Sequence, residues 1–245
     1  FKKISKLSTK NAILCSLFVT GETIINNSSE DSEIDDLINF LNMIGGNVKK
    51  TDPRVTVVNG SNIFKEGTFA VQSNKIEPVL FATAAILTNG NIVVKNVLRE
   101  PLIPFVNFLN KIGVNFEFSS NNELKIWRHS QELNNIDLTI ASSPGFIPEW
   151  QPYASLILTQ ANGVSHVHDT VYINKFEYIR DLNMTGANLK LLTPTEAGFP
   201  LKINDDFYIE LSKQKEKVTE EYQEQLTAIV AKMLAKVKID LDFTK

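Results

Sequence analysis

The sequence predicts an α/β fold assembled from three copies of one βαβαββ unit. Three observations predict it: a motif that recurs three times, a glycine that precedes each copy at nearly constant spacing, and a hydrophobic period that switches between strand and helix inside each copy. The motif reads Leu-Asn-x-x-Gly-x-Asn-apolar, at 41–48, 109–116 and 182–189. An apolar helix-like run ends at Gly21, Gly90 and Gly163, which stand 20, 19 and 19 residues before the three motif leucines. Chance does not keep that register three times.

The middle repeat, 68–128, gives the clearest order of elements. Thr68-Phe69-Ala70-Val71 reads as a strand, 75–87 as an apolar helix stopped by Asn89-Gly90, and 91–95 as a strand. A second helix over 101–112 places Leu102, Phe105, Val106 and Leu109 on one face and ends at Gly113. Strands at 115–118 and 123–127 follow, joined by the polar turn 119–122. The flanking repeats run over 3–59 and 137–203. The first helix of each unit, at 11–18, 79–87 and 154–158, is apolar nearly all round, whereas the second carries charges on one side. Three buried helices and three outer ones predict a threefold arrangement with the sheets outside the buried helices, sharing one core, so 1–245 reads as a single domain. The tail, 207–245, departs from the pattern. Its stretch 219–236 is amphipathic, with Tyr222, Leu226, Ile229, Val230, Met233, Leu234 and Val237 on one stripe, and Ile239, Leu241 and Phe243 alternate as a strand. This helix and strand either cover an edge left open by the third repeat or mark a docking face.

Composition narrows the function classes. A chain of 245 residues, 43% hydrophobic and 22% charged, is ordinary globular protein and can bury a sizeable core. With 25 basic against 28 acidic residues, a net charge of −3 and no dense basic run, it lacks the footprint of a nucleic-acid binder. Apolar stretches such as 12–20 and 79–87 fall well short of the ~20 residues of a membrane span. The single cysteine, Cys15, lies in an apolar run and is expected to be buried in the first helix; no disulfide framework or CxxC pair exists, which fits a reducing, cytoplasmic setting. The opening Phe1-Lys2-Lys3-Ile4 resembles neither a signal peptide nor a methionine start and is read as a cut edge of a longer protein.

Few residues offer chemistry on their own. No phosphate-binding glycine loop, metal triad or nucleophile elbow is present. His166 and His168 share one strand face; as metal ligands they would lack a third partner, with Asp169 on the opposite face, so they read as polar residues of a solvated face. The densest local oddity is Ser142-Ser143-Pro144-Gly145-Phe146-Ile147-Pro148-Glu149-Trp150-Gln151-Pro152, a loop leading into an apolar helix. Glu149 there has two readings, an acid favouring the positive end of the helix or a fixed carboxylate that binds a hydroxyl and moves a proton. Lys2-Lys3-Ile4-Ser5-Lys6 likewise reads either as a solvated terminus or as a phosphate receiver at a helix start. Only four arginines occur, so an arginine-lined anion clamp is not expected.

The repeats with Gly-x-Asn ends, the run Pro144 to Pro152, and Asp169-Thr170-Val171-Tyr172-Ile173-Asn174-Lys175-Phe176 together resemble the UDP-N-acetylglucosamine enolpyruvyl transferase (1-carboxyvinyltransferase) family, over about 3–192. The resemblance implies an inside-out α/β barrel of three units, one of two similar domains with the active site in the cleft between them. This chain resembles the domain of the later repeats. By that resemblance Lys3, Ile4, Ser5 and Lys6 face the sugar nucleotide's diphosphate, with Leu7 replacing an expected glycine. Glu149 takes the place of the family's aspartate, the proton acceptor at the sugar hydroxyl. Val171 and Tyr172 are the uridine-side contacts, and Lys175 stands where the family has an arginine. The family's cysteine loop and its lysine-asparagine pair for phosphoenolpyruvate belong to the other domain; Cys15 and Lys10-Asn11 are not their equivalents.

The implied reaction moves the enolpyruvyl group of phosphoenolpyruvate to the 3-hydroxyl of UDP-N-acetylglucosamine in peptidoglycan precursor synthesis. It uses acid–base groups and charge neutralisation, with no metal or organic cofactor. The implied partners are those two substrates and a companion N-terminal domain or partner chain; without the companion the chain is expected to be inactive. The competing expectation is a repeat domain that kept the fold and lost the site, acting as a binding or assembly module. A relative of the same fold acting on shikimate phosphate fits less well, because of the uridine-side motif at Val171 and Tyr172.

Overall fold

The computed structural model describes residues 1–61, 63–119, 122–129, 131–172, 175–193, 196 and, as backbone, 207–212. These residues group into two compact units: Phe1–Ser73 with Ala141–Ile147, and Asn74–Ile140 with Pro148–Lys245. The first holds repeat one, the opening residues of repeat two and the 141–147 loop of repeat three; the second holds the rest of repeats two and three.

In the first unit, α1 (Lys6–Ser16) starts at Ser5, whose hydroxyl accepts from the Ser8 amide at 3.1 Å. After β1 (Glu22–Asn26), α2 (Ser32–Met43) starts at Asp31, which accepts from the Glu33 amide at 3.1 Å; Glu33 and Asp35 add negative charge to its first turn. Two strands, β2 (Asn47–Asp52) and β3 (Val55–Asn59), close the unit, and β3 lies between β1 and β2, antiparallel to both. Ile13 and Leu17 meet Ile34, Ile38 and Leu41 from α2 and Val48 and Val58 from the sheet. Burying each such side chain contributes ~1.5–3 kcal/mol, which is what holds α1 and α2 on one side of the sheet's apolar residues.

In the second unit, α3 (Glu77–Leu87) is buried almost all round from Pro78 to Leu87. It leads to β4 (Asn91–Val94), a 3-10 turn at Glu100–Leu102, α4 (Ile103–Ile112), β5 (Asn115–Phe118) and β6 (Leu124–Trp127). The short β7 (Leu133–Asn134) and β8 (Asp137–Ile140) precede α5 (Gln151–Leu158), the short β9 (Ala161–Asn162), β10 (Val164–Asp169), α6 (Tyr178–Met184), β11 (Leu189–Leu192) and β12 (Phe207–Ser212). A sheet of order β4-β6-β5 repeats the arrangement of the first unit, and so does β10-β12-β11, which β8 extends as a parallel neighbour of β10. β12 thus supplies the last strand of repeat three, past the boundary at 203 read from sequence. Helices α3, α4 and α5 carry Pro78, Pro104 and Pro152 in their first turns, where the missing amide hydrogen costs nothing.

The recurring motif has a single structural meaning. Gly45, Gly113 and Gly186 all adopt positive φ, at 109°, 83° and 96°, at the end of α2, α4 and α6. In each case the glycine amide donates to the motif asparagine carbonyl (3.2, 3.2 and 3.1 Å). The next amide reaches back to the motif leucine carbonyl (2.8, 3.0 and 3.1 Å), so α2, α4 and α6 each end in a Schellman turn. In two copies the asparagine side chain then clamps the returning strand. Asn42 exchanges two hydrogen bonds with the backbone of Val48, both 2.8 Å, and Asn183 does the same with Leu189, both 2.9 Å.

Several expectations are corrected. Residues 68–71 form no strand: Phe69 packs edge-on against Phe40, and Gln72 bonds the Ser32 carbonyl (2.7 Å) and the Asp36 carboxylate (3.4 Å), so this run follows α2 instead of joining a ladder. Helix α1 is not buried all round. It buries only the stripe Thr9, Ile13 and Ser16, and Cys15, one step round the helix from that stripe, is exposed together with Leu14. On α4 the buried face is Phe105, Phe108, Leu109 and Ile112, with Val106 only partly covered. The turn 119–122 lies partly, and the amphipathic stretch 219–236 and alternating run 239–243 wholly, outside the described residues.

Replacing Asn42 by alanine leaves the Val48 amide and carbonyl without that partner and is expected to lower stability by ~1–2 kcal/mol. Asn110, exposed on α4, should cost less than ~0.5 kcal/mol when so replaced. Urea unfolding of the two variants checks the contrast, and equal losses would contradict the clamp.

Candidate functional site

The residues singled out from sequence fall into two groups, one in each unit. In the first unit Lys3 is exposed, Ile4 and Ser5 are half-buried, and Ser5 is occupied as the cap of α1. Lys6 is paired: its ammonium lies 3.0 Å from one oxygen of Glu33, while Lys10 lies 2.6 Å from the other. Burial pushes the Glu33 carboxyl up, but the hydrogen bonds from Lys10 and Lys6 outweigh it and hold Glu33 below its ordinary value. Lys6 is therefore already neutralised within its own unit. The loop ahead of Glu149 also belongs here up to Ile147. The Ala141 amide donates to Phe146 (2.9 Å), Gly145 to Ser142 (2.9 Å), and Arg54 reaches both Glu30 (3.0 Å) and the Ser143 carbonyl (3.3 Å). A Cβ on Gly145 would stand 2.7 Å from that of Ala141, which explains the glycine in the tight turn.

In the second unit the structure brings together Glu149, Val171, Tyr172 and Lys175 on two neighbouring segments. Glu149 is half-buried in a 3-10 turn, Pro148–Trp150, that runs straight into α5. The side chain of Trp150, at the N-cap, makes no capping hydrogen bond. Its indole is buried, donates to the Lys75 carbonyl at 3.2 Å and packs 6.0 Å from the Phe105 ring, so the residue after Glu149 is fixed. Val171 and Tyr172 follow β10. Their amides both donate to one carboxylate oxygen of Asp169, at 2.7 and 2.9 Å, and the Lys175 ammonium sits 3.7 Å from the centre of the half-exposed Tyr172 ring.

Sequence reasoning missed Asp169 and Gln151, which join these two segments. Gln151, only 1% exposed, donates to the second carboxylate oxygen of Asp169, itself 2% exposed, at 3.1 Å. One turn further along α5 the buried Ser155 hydroxyl lies 3.0 Å from that of Tyr178 on α6. Burial, reinforced by the negative Asp169, keeps the Tyr178 phenol well above its ordinary value. Burial likewise raises the Asp169 carboxyl, against the opposing pull of the Tyr172 and Val171 amides and the charges of His168 and Lys175. Both missed residues stand inside the motifs read from sequence. The strand alternation already put Asp169 on the face opposite His166 and His168, but only the fold shows that it meets Gln151 there.

On β10 the burial alternates. Ser165, Val167 and Asp169 are buried, while His166 and His168 are half-buried on the other face, and His166 bonds Asp137 at 2.9 Å. No group of three or more metal-ligating side chains gathers among the described residues, and none of their helices is long and apolar enough to cross a membrane.

Against known proteins, residues 1–202 match the family model described as EPSP synthase (3-phosphoshikimate 1-carboxyvinyltransferase). The chain belongs to that enolpyruvyl transferase family. Its curated relatives include a UDP-N-acetylglucosamine 1-carboxyvinyltransferase of Pelagibacter ubique, 31% identical over 191 residues, 78% of this chain and 45% of that protein. Another, of the same name, from Chlamydia abortus, is 35% identical over 184 residues, 75% of this chain and 41% of that protein. The chain thus spans less than half the length of these relatives. The crystal structure of the enolpyruvyl transferase NikO from Streptomyces tendae superposes with a TM-score of 0.72, covering 85% of this chain and 46% of that one at 18% identity, which shows a shared α/β fold.

The two carboxylates shift in opposite directions, and the consequences for stability differ in sign. Glu33, lowered on folding, stabilises above its unfolded pKa and loses that contribution as pH falls through the folded value. Asp169, raised on folding, contributes most at low pH and loses it as pH climbs toward its higher folded value. A carboxyl titration followed by NMR should place Glu33 below 4.5 and Asp169 above 3.8. The reverse displacement of either would contradict these environments.

Proposed function

We propose that the chain is one half of a UDP-N-acetylglucosamine 1-carboxyvinyltransferase, the half that presents the nucleotide-facing wall and the proton acceptor. The observation that carries this is the union of the Glu149 segment and the Val171–Tyr172 segment through one buried carboxylate. Two of the stretches that carry the family resemblance are thereby joined. The names of the curated relatives support the substrate. Within the second unit Glu149 is the catalytic base, Val171 and Tyr172 meet the uridine, and Lys175 supplies positive charge beside them. Within the first unit Lys3, Ile4, Ser5 and Lys6 meet the diphosphate, and an arriving phosphate competes with Glu33 for Lys6.

In this reading the sugar 3-hydroxyl gives its proton to Glu149 as its oxygen bonds to C2 of phosphoenolpyruvate, while C3 takes a proton from an acid on the companion domain. The C2–O bond to phosphate then breaks, C3 loses a proton, and the enol ether and phosphate are released. Glutamate in place of the family's aspartate moves the carboxylate by about 1 Å, a shift the surrounding turn must absorb for the proton transfer to stay in line. We extend the proposal to the fold of the domain, an inside-out α/β barrel of three repeats, in a cytoplasmic protein that works beside a companion half.

A second reading, a module that kept the fold and lost the chemistry, is favoured by one observation, the Lys6–Glu33–Lys10 ion pairs that already occupy a proposed phosphate contact. Phosphate release separates the two. The chain alone should release none from phosphoenolpyruvate and UDP-N-acetylglucosamine. Joined to a companion half it should turn over, with Glu149→Gln lowering kcat by about 10²–10⁴-fold and leaving sugar-nucleotide affinity within about threefold. Turnover by the isolated chain would contradict the half-site, and a completed protein indifferent to Glu149→Gln would contradict the role of the base.

A further inference from the structure

The turn that follows β10 and the turn that opens α5 both depend on one side chain, although the two residues that join them, Gln151 and Asp169, lie 18 positions apart in the chain. Asp169 uses Oδ1 for the Val171 and Tyr172 amides, at 2.7 and 2.9 Å, and Oδ2 for the Gln151 side-chain amide at 3.1 Å. Gln151 follows Glu149 by two residues, with the immobilised Trp150 between them. The Asp169 backbone is itself held. It pairs with Ile140 of β8, and the next residue, Thr170, bonds the Ile140 carbonyl through both its amide (3.1 Å) and its hydroxyl (2.8 Å).

We propose that Asp169 is a positioning residue that fixes the distance between the proton acceptor Glu149 and the uridine-side contacts Val171 and Tyr172, with Gln151 as its link to the acceptor. The inference rests on the proposed function, and it makes affinity for the intact sugar nucleotide depend on a carboxylate that touches no substrate. Three N–H donors converge on two oxygens inside a buried shell, so the group cannot be replaced by water or by a shorter side chain without releasing one turn from the other. An asparagine can replace it. Its single oxygen can serve the two backbone amides, and its NH₂ can donate to Gln151 once the Gln151 amide has rotated to offer oxygen. A purely structural role predicts loss of stability in step with loss of binding. A positioning role predicts that the two ligands UDP and UDP-N-acetylglucosamine respond differently, because only the second spans both turns.

The test is calorimetric titration of the full chain with UDP and with UDP-N-acetylglucosamine, alongside thermal unfolding. Asp169→Asn should bind both ligands within about threefold of the unaltered chain, whereas Asp169→Ala should weaken the sugar nucleotide by about tenfold or more. Gln151→Ala removes the link and leaves the Val171–Tyr172 turn intact. It should leave UDP within about twofold and weaken UDP-N-acetylglucosamine by about fivefold, and it serves as the deciding variant if Asp169→Ala does not fold. Equal affinities of Gln151→Ala and the unaltered chain for UDP-N-acetylglucosamine, or losses for UDP as large as for the sugar nucleotide, would overturn the positioning role while leaving the proposed function standing. An unaltered, folded chain that binds neither ligand would overturn the proposed function, and this inference with it.

Discussion

Helices α2, α4 and α6 must each stop and send the chain back into a strand, and the way they stop is the constraint on which the rest depends. A helix leaves its last carbonyls without partners. The Leu-Asn-x-x-Gly motif answers that need three times: a glycine in the left-handed region turns the chain, and two amides reach back to the leucine and asparagine carbonyls. The direction of exit then fixes the register of the returning strand. In repeats one and three the asparagine side chain bolts that strand to the helix end, six residues on. With the exit set, the last strand of each unit falls between the other two, and the same sheet order appears three times. A β-carbon at the motif glycines would strain that turn by roughly 1 kcal/mol or more, which is why the glycine recurs and its neighbours vary.

The chemistry of the candidate site depends on a different economy of charge. In the first unit Glu33 is kept ionised by two lysines, whose positive charge is neutralised by this internal carboxylate. In the second unit the carboxylate comes first. Asp169 is buried, and backbone and side-chain amides gather on it in place of a cation. Such amides lie where the fold puts them, so a buried acid that collects them converts its own desolvation cost into fixed geometry. The neighbouring Tyr178 remains a neutral phenol bonded to Ser155 and adds no second charge to this interior.

Much of this was legible in the sequence. The spacing of the motif gave away the repeats because backbone conformation at a helix end is decided locally, by glycine and the residues beside it. The helices at 75–87 and 101–112 fell close to where α3 and the turn leading into α4 are found. What failed was what tertiary contacts decide. Residues 68–71 alternate like a strand, but α2 offers Phe40, Ser32 and Asp36 to them before any sheet edge does. Cys15 looks interior among Ile13, Leu14 and Leu17, yet α1 buries only one narrow stripe. Glu149, Val171 and Tyr172 could be named from their motifs, whereas Asp169 and Gln151 could not. Nothing in a linear sequence shows that an acid at the end of one strand meets an amide at the start of a helix.

A crystal structure of the chain with UDP-N-acetylglucosamine bound would show whether the proposed sugar-nucleotide half-site is built into it. The uracil should lie against Val171 and Tyr172, and the sugar 3-hydroxyl within about 3 Å of the Glu149 carboxylate. A nucleotide bound elsewhere, or a sugar turned so that its 3-hydroxyl faces away from Glu149, would contradict it.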